Sequence, residues 1–138
     1  MFFPPPRSPL PDTYGKNCSY LGDPFINNCG FDSVGAMLGH ILPGSLHKRG
    51  KLEKSHLQRF DQSQYLPPAI LLDEISFGPD GYVYLPSNCR DNSTLCKLHV
   101  AFHGCEQDLA TIGTDFVTYN GLNEYAEAND IVILYPQV

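Results

Sequence analysis

The chain of 138 residues is about one domain's worth of sequence, well above the roughly 40 residues below which a fold needs staples. Its apolar fraction of 42% supports a real core, and with 17% charged residues it reads as neither disordered nor coiled coil. A net charge of −6 with only 9 Lys and Arg lacks the electrostatic footprint of a nucleic-acid binder. The one basic cluster, His47-Lys48-Arg49-Gly50-Lys51, reads as a solvated loop. No apolar run approaches the 18 or so residues that cross a bilayer, so neither nucleic acid nor membrane is an expected partner. Met1-Phe2-Phe3 runs into Pro4, Pro5 and Pro6 without a basic or long apolar region, so no signal peptide is read there.

In chain order, residues 1–30 are proline-rich and cysteine-containing, and form a loop-like lead-in to a domain over 31–138. A first helix is predicted from Asp32 or Ser33 as N-cap, with Val34, Met37, Leu38 and Ile41 at helical spacing and Pro43-Gly44 as its stop. A short strand is predicted over 56–61, and Ala69-Ile70-Leu71-Leu72 is too short to type. Gly81 to Leu85 reads as a strand after the Pro79-Asp80-Gly81 turn. Lys97 to His103 alternates, with Leu98, Val100 and Phe102 on one face and His99, Ala101 and His103 on the other. Leu109, Ile112 and Phe116 share helical spacing, as do Leu122, Tyr125 and Ala126. Ile131 to Tyr135 is a continuous apolar run of the kind buried on both faces. The stretch between Phe102 and Ile131 exceeds the dozen or so residues a parallel crossover needs, so 97–135 is a βαβ unit and the class is α/β.

The cysteines contain no Cys-x-x-Cys, which argues against a zinc or thioredoxin-like motif. His99 and His103 cannot share a metal either, since on a strand they lie about 13 Å apart whereas ligands sit about 2 Å from zinc. Neither metal nor cofactor is expected. Two sequons, Asn17-Cys18-Ser19 and Asn92-Ser93-Thr94, stand within turn-rich, cysteine-bearing segments and favour an oxidising, extracellular compartment. Several pairings are open to five cysteines. The simplest joins nearest neighbours, Cys18 with Cys29 and Cys89 with Cys96, and leaves Cys105 over. Export chemistry without an export signal, plus an odd cysteine, suggests a piece of a longer secreted protein.

Ligands of open α/β sheets bind beyond the carboxyl ends of strands. There the chain runs from Phe102 into His103-Gly104-Cys105-Glu106-Gln107. A His-Gly step at such a place can build half an oxyanion hole: glycine permits the sharp turn, and the next peptide N–H meets a developing oxyanion. A turn glycine beside an ordinary histidine is the plainer alternative. A nucleophile elbow is missing. Gly30-Phe31-Asp32-Ser33-Val34-Gly35 has one residue too many for Gly-x-Ser-x-Gly, and Ser33 or Asp32 is better placed as a helix cap.

Two runs, Tyr82-Val83-Tyr84-Leu85-Pro86-Ser87-Asn88-Cys89 and Cys96-Lys97-Leu98-His99-Val100-Ala101-Phe102-His103-Gly104-Cys105-Glu106-Gln107, resemble secreted poly(3-hydroxybutyrate) depolymerases. So do Asn129-Asp130-Ile131-Val132-Ile133-Leu134-Tyr135-Pro136-Gln137 and the helix start Cys29-Gly30-Phe31-Asp32-Ser33-Val34-Gly35-Ala36. The chain departs from the pattern in having no tryptophan, with Tyr125 where relatives often carry one.

The resemblance implies the circularly permuted branch of the α/β-hydrolase fold, in which the triad serine, aspartate and histidine all precede the part seen here. It implies a serine esterase acting on ester or polyester substrates. In it, the Cys105 backbone N–H, held by Gly104, serves as oxyanion donor and His103 anchors the loop. By this reading the chain alone is inactive, and the missing N-terminal half of its own fold is its partner. Cys105 then pairs outside the chain, and the uncovered fragment self-associates. A non-catalytic, disulfide-stapled binding or matrix module on the same fold is the alternative.

Overall fold

In the computed structural model, which describes residues 14–138 other than Pro43, Ser45, Ala69, Leu71, Asn92 and Ser93, the chain opens on two short parallel strands. These are β1 (Lys16–Asn17) and β2 (Asn27–Asn28), and the Cys18–Cys29 disulfide closes the loop between them. The expected lead-in therefore carries a small pairing of its own. Residues 1–13 and the expected stop at Pro43 lie outside the described residues.

Helix α1 (Ser33–Ile41) follows, and Asp32 caps it by accepting the Gly35 N–H at 2.9 Å. Its apolar face is narrower than the spacing of its residues implies. Leu38 is fully buried and Val34 packs at the core margin, whereas Met37 and Ile41 are exposed.

The main sheet contains β3 (Leu57–Asp61), β4 (Asp80–Tyr84), β5 (Lys97–Val100) and β6 (Ile131–Tyr135), in the order β3-β4-β6-β5. β3 and β4 pair antiparallel, as do β4 and β6, while β5 runs parallel to β6. β3 starts one residue later than anticipated because His56 closes a preceding 3-10 turn, and β4 runs from Asp80 rather than Gly81.

Between β5 and β6 lie α2 (Leu109–Ile112), α3 (Asp115–Tyr119) and α4 (Leu122–Asn129), which complete the βαβ unit. The stripe Leu109, Ile112, Phe116 does not belong to one helix. Gly113 adopts φ 59°, a left-handed conformation that glycine enters without penalty, and ends α2 before Phe116 is reached.

Strand alternation sends Ile131, Ile133, Tyr135 and Tyr84 to one face. There they meet Leu38 of α1, Val117 of α3, and Leu122 and Ala126 of α4. Each large apolar side chain buried in this way stabilises the fold by about 1.5–3 kcal/mol. The Tyr135 hydroxyl, inside this core, donates to Asn123 Oδ1 at 2.7 Å, so its polar end is satisfied.

The opposite face corrects the expectation that β6 is buried on both sides. Val132 and Leu134 are only half-buried, and on the same side Leu98 is 66% and Phe102 62% exposed. The α-helices that cover the first face leave this one open, as a shallow apolar groove of about 620 Å³ lined by Phe60, Tyr65, Phe77, Val83, Leu134 and Pro136. Among the described residues no helix is long and apolar enough to cross a membrane.

Candidate active site

Because β5 and β6 are parallel, both leave the sheet at the same end. β5 exits through Ala101 and Phe102 into residues 103–107, and β6 exits through Pro136, Gln137 and Val138. This is the end at which open α/β sheets hold their ligands.

His103 joins the two exits. Its Nε2 accepts the Val138 N–H at 3.2 Å, which leaves the ring proton on Nδ1, and Nδ1 donates to the Gly104 carbonyl at 2.9 Å. The ring stands edge-on to Phe116, which in turn stands edge-on to Tyr135. Both nitrogens thus hold main chain, and among the described residues neither meets a hydroxyl or thiol.

Gln107 closes the loop from the other side. Its N–H donates to the Gly104 carbonyl at 3.1 Å, while its Oε1 accepts the Gly104 N–H at 2.8 Å. A Cβ on Gly104 would stand 2.8 Å from that same Oε1, so a side chain here would displace the Gln107 amide from its bond to the Gly104 N–H. Glu106 takes φ 61°, a left-handed conformation that costs a non-glycine residue about 1–3 kcal/mol and is sustained by the bonds around it. Gln107 Nε2 donates to the Phe25 carbonyl at 2.9 Å, which ties the loop to the segment between Cys18 and Cys29. Cys105 is exposed with a free thiol, and its N–H meets no protein acceptor among the described residues.

The β6 exit that His103 reaches is held by hydrogen bonds of its own. Gln137 is only 4% exposed, and its carbonyl accepts Gln62 Nε2 at 2.7 Å and the Gly78 N–H at 2.9 Å. Its Oε1 accepts the Leu109 N–H at 3.2 Å. Asp108 caps α2, and hydrogen bonds from the Thr111 hydroxyl and the Thr111 and Ala110 amides hold its carboxyl below the ordinary carboxylate range.

Serine, histidine and carboxylate also come together elsewhere, in an order unsuited to nucleophilic catalysis. Ser87 Oγ donates to Glu127 Oε1 at 2.6 Å, while Tyr84 Oη and His56 Nδ1 lie 2.8 and 3.1 Å from Glu127 Oε2. The serine is bound to the carboxylate and not to the imidazole, and a carboxylate held below its ordinary range is a poor base for its proton. Burial alone would raise Glu127, but the bonds from Ser87, Tyr84 and His56 outweigh it and lower the carboxyl. The group ties β4 and the turn after it to α4.

Of the residues singled out in the sequence, His103, Gly104 and Cys105 lie together at the β5 exit. Cys18–Cys29 reaches them through Phe25, whereas Cys89–Cys96 is bonded at the far end of β5. Asn17 is exposed beside Cys18, with its Oδ1 accepting from Ser19, and Asn92 lies outside the described residues. The roles of Gln107, Gln137 and the Phe25 carbonyl went unread. For Gln107 the available signal was a polar side chain three residues beyond a turn glycine.

No protein-family profile matches the chain. Among curated proteins it is 37% identical over 129 residues to a poly(3-hydroxybutyrate) depolymerase of Delftia acidovorans, covering 91% of this chain and 25% of that protein. It is 38% identical over 124 residues to a polyhydroxybutyrate depolymerase of Talaromyces funiculosus, covering 88% of this chain and 34% of that one. Among solved structures it is similar to the PHB depolymerase of Penicillium funiculosum and to a PHB depolymerase variant complexed with an R3HB trimer. Each matches with a TM-score of 0.77 and 37% identity, over 91% of this chain and 38% of the solved one. The chain therefore spans about a quarter to a third of the curated relatives' length.

Proposed function

From the premise that this chain is homologous to part of the poly(3-hydroxybutyrate) depolymerases, we propose that it is a segment of a secreted serine esterase acting on carboxylic esters or polyesters. In this reading residues 1–30 lead into a partial α/β-hydrolase domain over 31–138, the later portion of a circularly permuted fold. The segment supplies the oxyanion loop and part of the sheet, and the triad stands earlier in the longer chain.

One observation carries the reading. At the ligand-binding end of a parallel strand pair, the Gly104–Cys105 peptide has its carbonyl tied down and its N–H without a protein acceptor. During turnover the upstream serine attacks the ester carbonyl as its proton passes to the upstream histidine. The carbonyl oxygen becomes an oxyanion that accepts the Cys105 N–H. Collapse of the intermediate expels the alcohol, which takes the proton from histidine, and water then releases the acid by the same route. One such main-chain donor is worth about 3–4 kcal/mol to the transition state. In the same reading Cys105 finds its disulfide partner outside this chain, and Asn92 and, less favourably, Asn17 beside a bridged cysteine accept glycans in an extracellular protein.

The test is to sequence the transcript around this reading frame and express the longer chain beside residues 1–138. A Gly-x-Ser-x-Gly elbow upstream, hydrolysis of p-nitrophenyl butyrate by the longer chain, and its loss to a serine-directed phosphonate support the proposal. An upstream region without such a serine overturns it, as does phosphonate-sensitive turnover by the short chain alone.

A further inference from the structure

A peptide N–H can stabilise an oxyanion only if its plane is held, because a donor that must reorient during the reaction forfeits most of its advantage. In a trans peptide the N–H points opposite to the C=O of the same plane. The direction of the Cys105 N–H is therefore set by whatever grips the Gly104 carbonyl. Two donors grip it, His103 Nδ1 at 2.9 Å and the Gln107 N–H at 3.1 Å.

The preceding peptide is held as well, since the Gly104 N–H donates to Gln107 Oε1 at 2.8 Å. One glutamine thus engages the peptides on both sides of Gly104. Its remaining group, Nε2, reaches the Phe25 carbonyl at 2.9 Å, 82 residues away in sequence. Phe25 is itself fixed: its N–H donates to the Gly22 carbonyl at 2.7 Å, and Lys16 N–H donates to the neighbouring Ile26 carbonyl at 2.9 Å. The Cys18–Cys29 disulfide closes the segment around both.

We infer that Gln107 is a positioning residue for the Cys105 N–H: its main-chain N–H grips the 104–105 peptide, and its side chain moors the adjoining 103–104 peptide to the disulfide-closed 18–29 segment as a buttress. This deepens the proposed function and rests on it. The chemistry of the side chain supports the assignment. An amide accepts from Gly104 and donates to Phe25 at once. A carboxylate in its place keeps the acceptor and loses the donor, and alanine loses both.

Two readouts test this and fail independently. In residues 1–138, hydrogen exchange followed by NMR should show the Gly104 amide at least tenfold faster in Gln107→Ala, with the Ile133 and Tyr135 amides unchanged. In Gln107→Glu it should stay close to wild type. In the longer chain that carries the nucleophile, Gln107→Ala should lower kcat about tenfold or more with KM within about twofold and Tm unchanged, and Gln107→Glu should fall between. If Gln107→Ala does not fold, Gln107→Glu carries the test through its kcat. Unchanged Gly104 exchange in Gln107→Ala, or unchanged kcat in either variant, overturns the positioning role. A wild-type longer chain without esterase activity refutes the functional reading instead, and leaves the exchange result to judge the mooring alone.

Discussion

The hydroxyl of Tyr125 donates to Asp32 Oδ2 at 2.6 Å and so joins two helices that lie 93 residues apart in sequence. The same carboxylate caps α1 and accepts Arg49 Nη2 at 2.7 Å, while the Arg49 guanidinium lies 5.2 Å from the centre of the Tyr125 ring. Burial pushes the Asp32 carboxyl up, but the bonds from Arg49, Tyr125 and the Gly35 amide bring it below its ordinary value. Three separate segments thus converge on one acidic group.

Asp32→Ala removes the cap and strands both other donors, and should cost about 1–3 kcal/mol in urea denaturation. Asp32→Asn retains an acceptor for the Gly35 amide and should cost less. Equal losses in the two variants would show that the cap contributes nothing.

Gly35→Ala should destabilise the protein, although alanine favours a helix interior by about 1 kcal/mol over glycine. A Cβ at position 35 would lie 2.2 Å from the Tyr125 hydroxyl oxygen and 2.9 Å from Asp32 Oδ2. A raised thermal midpoint would contradict the contact.

Stability should decline as pH falls through the acidic range. Glu127 and Asp32 have folded pKa values below their ordinary ones, so the unfolded chain takes up protons first. Their contribution is complete above the unfolded carboxylate range of about 4 and is lost as pH falls from there through the still lower folded values. Urea midpoints measured from pH 7 to pH 3 should fall, and fall less steeply in Glu127→Gln. Parallel curves for wild type and variant would exclude Glu127 as a source of the dependence.

Leu98→Lys together with Phe102→Ser should reduce concentration-dependent association, read by light scattering, and change unfolding free energy by less than about 1 kcal/mol. Both side chains already lie mostly in solvent, Leu98 on the edge strand β5 and Phe102 just beyond its end. A large loss of stability would mean that they pack against something in the isolated chain.

Replacing Cys89 and Cys96 by serine should lower stability by about 2–3 kcal/mol, from the loop entropy that the bridge removes in the unfolded chain. The effect should vanish when both proteins are compared under reducing conditions.

Features that rest on near neighbours are legible in the order of the residues. The Asp32 cap was readable because an acidic residue before an apolar 3.6-residue repeat satisfies amides three positions on. The βαβ unit over 97–135 was readable because β-branched runs, turn residues and a long crossover admit few other arrangements. The place of residues 103–107 directly beyond a strand was readable for the same reason.

Whatever depends on residues distant in the chain is fixed only on folding. Leu98, Val100 and Phe102 carry an apolar alternation that looks like a core face, yet the α-helices pack on the other side of the sheet, a choice that no strand pattern encodes. Glu127 carries no local signal of its partners, because it is β4, the turn after it and the turn before β3 that bring Tyr84, Ser87 and His56 to it. Gln107 gave no sign of reaching Phe25. A side-chain amide is specific only for whatever polar group the fold sets within about 3 Å of it, and folding chose a carbonyl from the opposite end of the chain.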